Sequence, residues 1–489
     1  MKDIKIYPSS WYYNACVHGF LETLAWGLGG EGSCAEEGSR VIQEKILQDD
    51  GSAIITGCLA VAIFGDESVF MPEDYHCRPA PRGLEKLKRL ARWWAERSWN
   101  EGFVGKRHRG DVLGPLERLN AVCSRLFSRN CPYENLVQPK WNKIEFLNNW
   151  FERNCSSTVS AVNCSFCGEP FFPDPDPAAR VYDLYFTRPM SKNLGNSPDG
   201  FPNMFWDGKP NLPVCRTCRS YFLHFHFVYK NRFFVNTGSF LSNWYLNRLI
   251  SGRLEGDISH NRVAFLDALK YDSQLRRGIS GWGLQNIEMV LFEEGDVLYY
   301  PVSARLAKLL LVPQISSLLG KIVKISGQSI VWDCILKERF DYLPIVIYKS
   351  LRVFLAGSNH GDDAEIINKN LKDTEAILYT IELYNEIKKN LSTKKGGFGL
   401  GYLNVRGLKN VASSAPLLND NMVFRLLELT RLNKKSDVYH LLLRAYVAAG
   451  VAFPDVLIDL FEIRDDELFK TGVYAFISGL SPGTKEKTE

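Results

Sequence analysis

The chain has 489 residues, 45% hydrophobic and 23% charged, the balance of a folded globular protein, and this excludes an intrinsically disordered one. Its longest apolar run, residues 53–64 (AIITGCLAVAIF), falls short of the roughly 20 residues a spanning helix needs, and charges and tyrosines in MKDIKIYPSSWYYNA break the apolar stretch of a secretory signal. The twelve cysteines therefore read as reduced thiols or metal ligands, and the expected setting is the cytoplasm with no membrane contact.

The net charge of +4 is unevenly spread. Residues 82–129 carry 12 Lys/Arg against 5 Asp/Glu, so one basic region dominates and invites a polyanionic partner.

In chain order, residues 1–80 mix apolar runs with glycine-rich turns such as Gly27–Gly32, and 53–64 reads as a buried strand or short helix. From Arg82, Leu84, Leu87, Leu90, Ala91 and Trp94 recur at helical spacing, with Lys86, Lys88, Arg89 and Arg92 between them, predicting a basic amphipathic helix. Glycines on both sides of Lys106, Arg107, His108 and Arg109 open a loop whose backbone can approach a phosphate or a base edge. Nine prolines between 164 and 218 forbid long helices there. Residues 241–360 do not disclose a topology. After Gly357–Asp363, Ile367, Leu371, Ile377, Leu378, Ile381, Tyr384 and Ile387 keep a helical period, a second helical block runs from Met422 to about Leu480, and Lys394 and Lys395 open the basic, glycine-rich stretch between them.

The strongest chemical signal is Cys164-x-x-Cys167 paired with Cys215-x-x-Cys218. Two residues between cysteines let a tight knuckle aim both sulfurs at one ion, and two knuckles complete a tetrahedron; the expected cofactor is a structural Zn²⁺, because four thiolates leave no position open for water. The 47 residues between the pairs mean that the ion would clip a large insertion rather than make a free-standing finger.

His224 and His226 follow closely and read either as an alternative ligand pair or, more simply, as two histidines on one face of an aromatic strand. Between 216 and 232, Arg216, Arg219, Lys230 and Arg232 alternate with Tyr221, Phe222, Phe225, Phe227 and Tyr229. Cations for phosphates beside rings for bases suit a nucleic-acid groove; a buried aromatic core with solvated cations is the other reading. Asp174 and Asp176, in Asp-Pro-Asp-Pro, read as a turn, or with a histidine as the carboxylates of a metal-dependent nuclease. No nucleophile elbow, P-loop or zinc-protease motif occurs, so an enzyme is not indicated.

The opening Tyr7–Glu22 (YPSSWYYNACVHGFLE), Cys164–Glu169 (CSFCGE), Phe201–Trp206 (FPNMFW) and Cys215–Cys218 (CRTC), in that order and at that separation, resemble the CRISPR-associated CXXC-CXXC family, the large subunit of the type I-B Cascade complex. The resemblance covers roughly residues 5–235 and implies a subunit at the crRNA 5′ end that recognises the PAM of duplex DNA and promotes unwinding and R-loop formation, while pairing with the guide reads the sequence. It also implies partners: crRNA, the target double-stranded DNA, and the other Cascade subunits, which are the 5′-handle subunit, the backbone subunits and a small subunit. A helicase-nuclease would be recruited downstream, or transposition proteins in a transposon-associated system. A zinc-containing scaffold without nucleic-acid contact is a further alternative.

The expected fold class is α+β. A mixed α/β body with its basic helix and loop spans 1–150, the zinc-binding insertion and aromatic–basic segment 151–240, and the remainder of the N-terminal body 241–360. A C-terminal helical bundle resembling a Cascade small subunit spans 361–489.

Overall fold

The computed structural model describes residues 2–29, 35–103, 113–127, 133, 142–153, 162–173, 213–251, 287–293, 296–326, 329–356, 374–391, 403–413, 415 and 418–480. The chain is α+β, with small antiparallel sheets, a helical C-terminal region and the four cysteines of the two CxxC pairs gathered together. It divides into two compact units, one of Met1–Ser251 with Asn286–Tyr300 and one of Gly252–Gln285 with Pro301–Glu489. The helical character that the sequence suggests from about 361 thus extends back to the start of the 300s.

In the first unit, β1 (Ile4–Ile6) pairs antiparallel with β2 (Ala53–Ile55), and between them runs α1 (Trp11–Gly27). Ser10 caps α1 through its hydroxyl, which accepts from the Tyr13 amide, and burial reaches all round the helix. Such a helix belongs at the centre of a core, where each large apolar side chain contributes about 1.5–3 kcal/mol. After α2 (Ala35–Val41), the apolar run resolves into both of its expected forms: strand β2, then helix α3 (Gly57–Phe64).

The basic stretch folds differently from its periodicity. Helix α4 begins only at Arg89 (Arg89–Asn100), and Leu84 and Leu87 are buried in the turns before it. Its arginines face inward. Arg89 donates to the carbonyls of Ala62 and Val69, Arg92 pairs with Glu67 and donates to the Arg78 carbonyl at 2.7 Å, and Arg97 pairs with Glu22 at 2.5 Å and donates to the Gly19 carbonyl. Guanidinium groups with several fixed donors can close loops around a helix where water is excluded, provided each charge is matched. Three of the twelve cations in 82–129 are therefore internal.

Helix α5 (Pro115–Leu126) starts with proline at its first position, and the Glu117 carboxylate accepts from the Gly114 amide at 2.9 Å. Helix α6 (Lys143–Trp150) is capped by Asn142. The short strands β3 (Val162–Asn163) and β4 (Pro170–Phe171) flank the first CxxC. The second opens α7 (Arg216–Phe222), which is followed by α8 (Phe225–Lys230), β5 (Phe233–Asn236) and α9 (Phe240–Ser251). Strand β6 (Ile287–Glu293) lies between β5 and β7 (Asp296–Val302), antiparallel to β5 in the register Phe233 to Leu291.

Beyond the end of β7, the second unit is helical among its described residues. It runs through α10 (Ala304–Leu310), α11 (Pro313–Ser326), α12 (Ser329–Leu336), α13 (Leu343–Ala356) and α14 (Thr374–Leu391), then α15 (Val405–Ser413), α16 (Asp420–Arg431), α17 (Lys435–Ala448), α18 (Asp455–Glu462) and α19 (Asp466–Gly479). Pro313 begins a helix rather than interrupting one, and Asn419 and Asp465 accept from first-turn amides as caps. No helix among the described residues is long and apolar enough to cross a membrane.

Candidate metal centre

Cys164, Cys167, Cys215 and Cys218 place their sulfurs within 4.8 Å of one another, the one such group of potential metal ligands among the described residues. Each pair is shaped by local backbone chemistry. The first knuckle turns between β3 and β4, closed by the Cys164 amide on the Glu169 carbonyl at 3.0 Å and the Gly168 amide on the Cys164 carbonyl at 2.9 Å. Gly168 sits at φ +70°, a conformation that costs a residue with a Cβ about 1 kcal/mol or more.

In the second knuckle Cys215 is the N-cap of α7, and its sulfur accepts from the Cys218 amide at 3.4 Å. The Cys164 sulfur accepts from the amides of Phe166 (3.5 Å) and Cys215 (3.4 Å), and Ser165 donates to the Pro213 carbonyl across the gap at 2.9 Å. Amides aimed at sulfur favour thiolate, the form that binds metal.

The four sulfurs do not titrate alike. Hydrogen bonds from Cys167, Cys215 and Cys218 hold Cys164 below the ordinary thiol value, whereas Cys218 is pushed well above it, chiefly by its contact with Cys164. A cluster at this separation keeps protons that a divalent cation would displace. Cys164, Cys215 and Cys218 are buried and Cys167 is half-buried, so the site is nearly closed.

The N-terminal helix supplies the wall of this centre. The Tyr13 hydroxyl lies 3.9 Å from the Cys218 sulfur, and its ring stacks on Phe166 of the first knuckle at 5.1 Å and 13°. Phe20 meets Tyr221 at 4.7 Å, and Asn14 donates to the Asn236 side chain at 2.8 Å, tying α1 to β5. At Gly19 the helix comes so close to the second knuckle's segment that an added Cβ would fall 2.3 Å from the His224 carbonyl oxygen.

Among the described residues the histidines join no group of potential ligands, and neither lies in a strand. His224 precedes α8 and His226 lies within it, and both are fully buried. His226 is held between the Ser98 hydroxyl (2.9 Å) and the Tyr133 hydroxyl (3.0 Å). His224 places Nδ1 3.0 Å from the Ser220 carbonyl, and its ring meets Phe20 and Phe151 edge-on. Burial pushes His224 down to about 3, and His226 well below its ordinary value, so both are neutral core residues. Neither ring reaches the surface. Asp174 and Asp176 lie outside the described residues.

The aromatic–basic segment resolves in favour of a core. Tyr221, Phe222, Phe225 and Phe227 are buried and only Tyr229 is exposed, so the rings are occupied by packing rather than presented to bases. Arg219 is buried too, donating to the Asn149 carbonyl at 2.5 Å with its guanidinium over the Trp150 ring. Arg216 pairs with Glu152 at 2.6 Å, and Lys230 reaches the Glu101 carbonyl and carboxylate at 2.9 and 3.3 Å. Arg232 stands apart: it is exposed at φ +56°, and its side chain has no hydrogen-bond partner among the described residues. Lys106, Arg107, His108, Arg109, Lys394 and Lys395, with the Phe201–Trp206 motif, lie outside the described residues.

Sequence reasoning missed Glu96, whose carboxyl is pushed up to about 7 by burial and whose Oε1 is buried without a hydrogen-bond partner. Its surroundings come from three separate stretches of chain, so no local motif announces it. Compared with family models, with curated proteins and with solved structures, the chain shows no match.

Proposed function

We propose that the protein is the non-enzymatic large subunit of a type I-B-like CRISPR surveillance complex, built around a structural zinc centre. In this reading it sits with guide RNA, engages the PAM duplex of the target, promotes unwinding and recruits a helicase-nuclease or transposition proteins. The observation that carries the reading is spatial. The N-terminal segment Tyr7–Glu22 and the two CxxC pairs, which together resemble the CXXC-CXXC family, share one core from Tyr13 onward, in which Tyr13 touches both knuckles.

Four thiolates select a soft-accepting tetrahedral ion, and zinc is the ordinary occupant of such a closed set; it would supply rigidity to a proline-rich insertion rather than chemistry. Duplex contact then falls to Arg232, which is exposed, and to Lys106, Arg107 and Arg109, which lie outside the described residues, since Arg219 is committed to the core.

The test is target binding by the assembled complex as a function of salt. Neutralising Lys106, Arg107 and Arg109 should weaken binding and reduce the slope of log K against log salt by about 0.9 for each phosphate that the loop neutralises. An unchanged affinity and slope would exclude the loop from the interface.

A further inference from the structure

Phe70 is the most exposed large apolar side chain among the described residues, 94% open to solvent, and the loop that carries it is held in place. Asp66 accepts from the Ser68 amide at 3.0 Å, the Val69 carbonyl beside Phe70 accepts from Arg89 at 2.8 Å, and Lys45 donates to the Asp74 carbonyl at 3.2 Å. Met71 packs on the core, so the backbone is fixed on both sides of the exposed ring. Residues 66–74 (DESVFMPED) hold four acids and no Lys or Arg. Glu67 is committed to Arg92, whereas Glu73 and Asp74 are exposed and form no ion pair among the described residues. A ring projecting from a fixed acidic loop is already in the shape it would have when docked, so binding loses little conformational freedom.

The same unit carries a socket of matching chemistry. A cleft of about 270 Å³ lies between the end of α1, α4 and α5, with Trp26, Trp99, Pro81 and Pro115 in its walls beside Arg78 and Arg118. An apolar cavity of about 150 Å³ is enough to hold benzene, so a phenyl ring fits this cleft with room for its methylene stem. Indole edges and proline rings are favourable neighbours for such a ring. Arg78 is supported on the Trp26 ring at 4.1 Å and Arg118 on the Trp99 ring at 5.3 Å. The two arginines outnumber the one carboxylate in the walls, Glu96, and leave the cleft positive where the loop is negative.

Ring and cleft are neighbours on the molecule. Arg92 pairs with Glu67 of the loop and donates to the Arg78 carbonyl at 2.7 Å, so one buried guanidinium holds both the loop and the edge of the cleft. The ring does not fill the cleft of its own chain, since it stands in solvent. Adjacent complementary features on one face are what a two-fold pair requires, each copy giving one contact and receiving the other.

We propose that this face pairs with a second copy of the chain, each Phe70 ring entering the cleft of the other copy while Glu73 and Asp74 come against the arginines at its rim. The pairing does not depend on the surveillance-complex reading and uses none of the metal-centre residues.

The experiment is sedimentation equilibrium of the full-length protein, purified alone, across the micromolar range. The parent chain should show a monomer–dimer equilibrium that weakens as salt screens the rim charges. Phe70→Ser should raise the dissociation constant by about a hundredfold or more, because a two-fold dimer loses two buried rings. Ala80→Trp, which fills the cleft from its wall, should do the same. An equimolar mixture of the two variants should form mixed dimers, since one keeps its cleft and the other its ring, although neither pairs with itself.

Thermal melting of each variant separates a lost contact from a lost fold, and should Ala80→Trp fail to fold, Phe70→Ser, which alters an exposed side chain, decides alone. Three results would each overturn the proposal: a parent chain that is monomeric at every concentration, a Phe70→Ser protein that dimerises like the parent, or a mixture of folded variants that associates no better than either one alone.

Discussion

Gly19 couples the N-terminal helix to the cysteine-bearing half of the first unit, and replacing it with alanine measures that coupling. The added Cβ would stand 2.3 Å from the His224 carbonyl oxygen and 3.1 Å from the carbonyl carbon and Cβ of the same residue, about 1 Å inside ordinary contact. Neither side can yield cheaply. The Gly19 carbonyl is held by Arg97 at 3.1 Å, and the neighbouring Leu223 carbonyl is held by the Trp94 indole at 2.6 Å. Overpacking of a tight core typically costs ~1–3 kcal/mol, which for a unit of this size lowers the unfolding temperature by about 2–4 °C per kcal/mol.

Scanning calorimetry of the full-length chain reads the shift directly, and Gly238→Ala is the matched control, since a Cβ there meets nothing within 4 Å. The control should stay within about 0.5 kcal/mol of the parent, as surface changes do. Gly19→Ala unfolding at the parent temperature, or Gly238→Ala costing as much, would refute the close approach of the two segments.

Other consequences follow from the same geometry. Cys164→Ser with Cys215→Ser should abolish bound metal and lower thermal stability together, because binding energy at such a site is folding energy; unchanged metal stoichiometry by elemental analysis would remove the four-sulfur centre. His18, brought down to about 4 by burial, joins His224 and His226 as neutral core groups. Their folded values lie below the unfolded one near 6.5, so the unfolded chain binds more protons and stability falls as pH drops through 6.5. At pH 5 the loss is about 2 kcal/mol for each of His18 and His224, with His226 adding in the same direction, and urea unfolding at pH 7 and pH 5 that gives the same midpoint would contradict their burial. Arg219→Ala should cost about 2 kcal/mol in urea unfolding by stripping the Asn149 carbonyl and the Trp150 face, whereas Arg232→Ala should stay within about 0.5 kcal/mol. Equal costs would mean that Arg219 is no more committed to the fold than an exposed residue.

What the sequence made legible was local. The CxxC spacing encodes a knuckle within four residues, so both halves of the metal centre could be read, and their meeting followed from ligand number alone. Helical periods in the C-terminal third came through because each helix buries a stripe of its own residues, as Ile377, Ile381 and Tyr384 do in α14.

Non-local pairing was hidden. Arg89 and Arg92 read as part of a basic helix face because nothing adjacent in sequence reveals that the Ala62 and Val69 carbonyls and Glu67 are waiting for them. Leu84 and Leu87 kept a helical spacing yet are buried in turns, since burial needs only a core nearby and not a helix. The rings of Tyr221–Phe227 fitted a base-stacking groove and a core equally well until α1 was placed against them.

The most direct test of the functional account is purification of the tagged protein from its native host under mild salt, followed by sequencing of the RNA that accompanies it. The account predicts a discrete, repeat-derived guide RNA in fixed proportion to the protein. Absence of RNA, or a profile matching bulk cellular RNA, would contradict it.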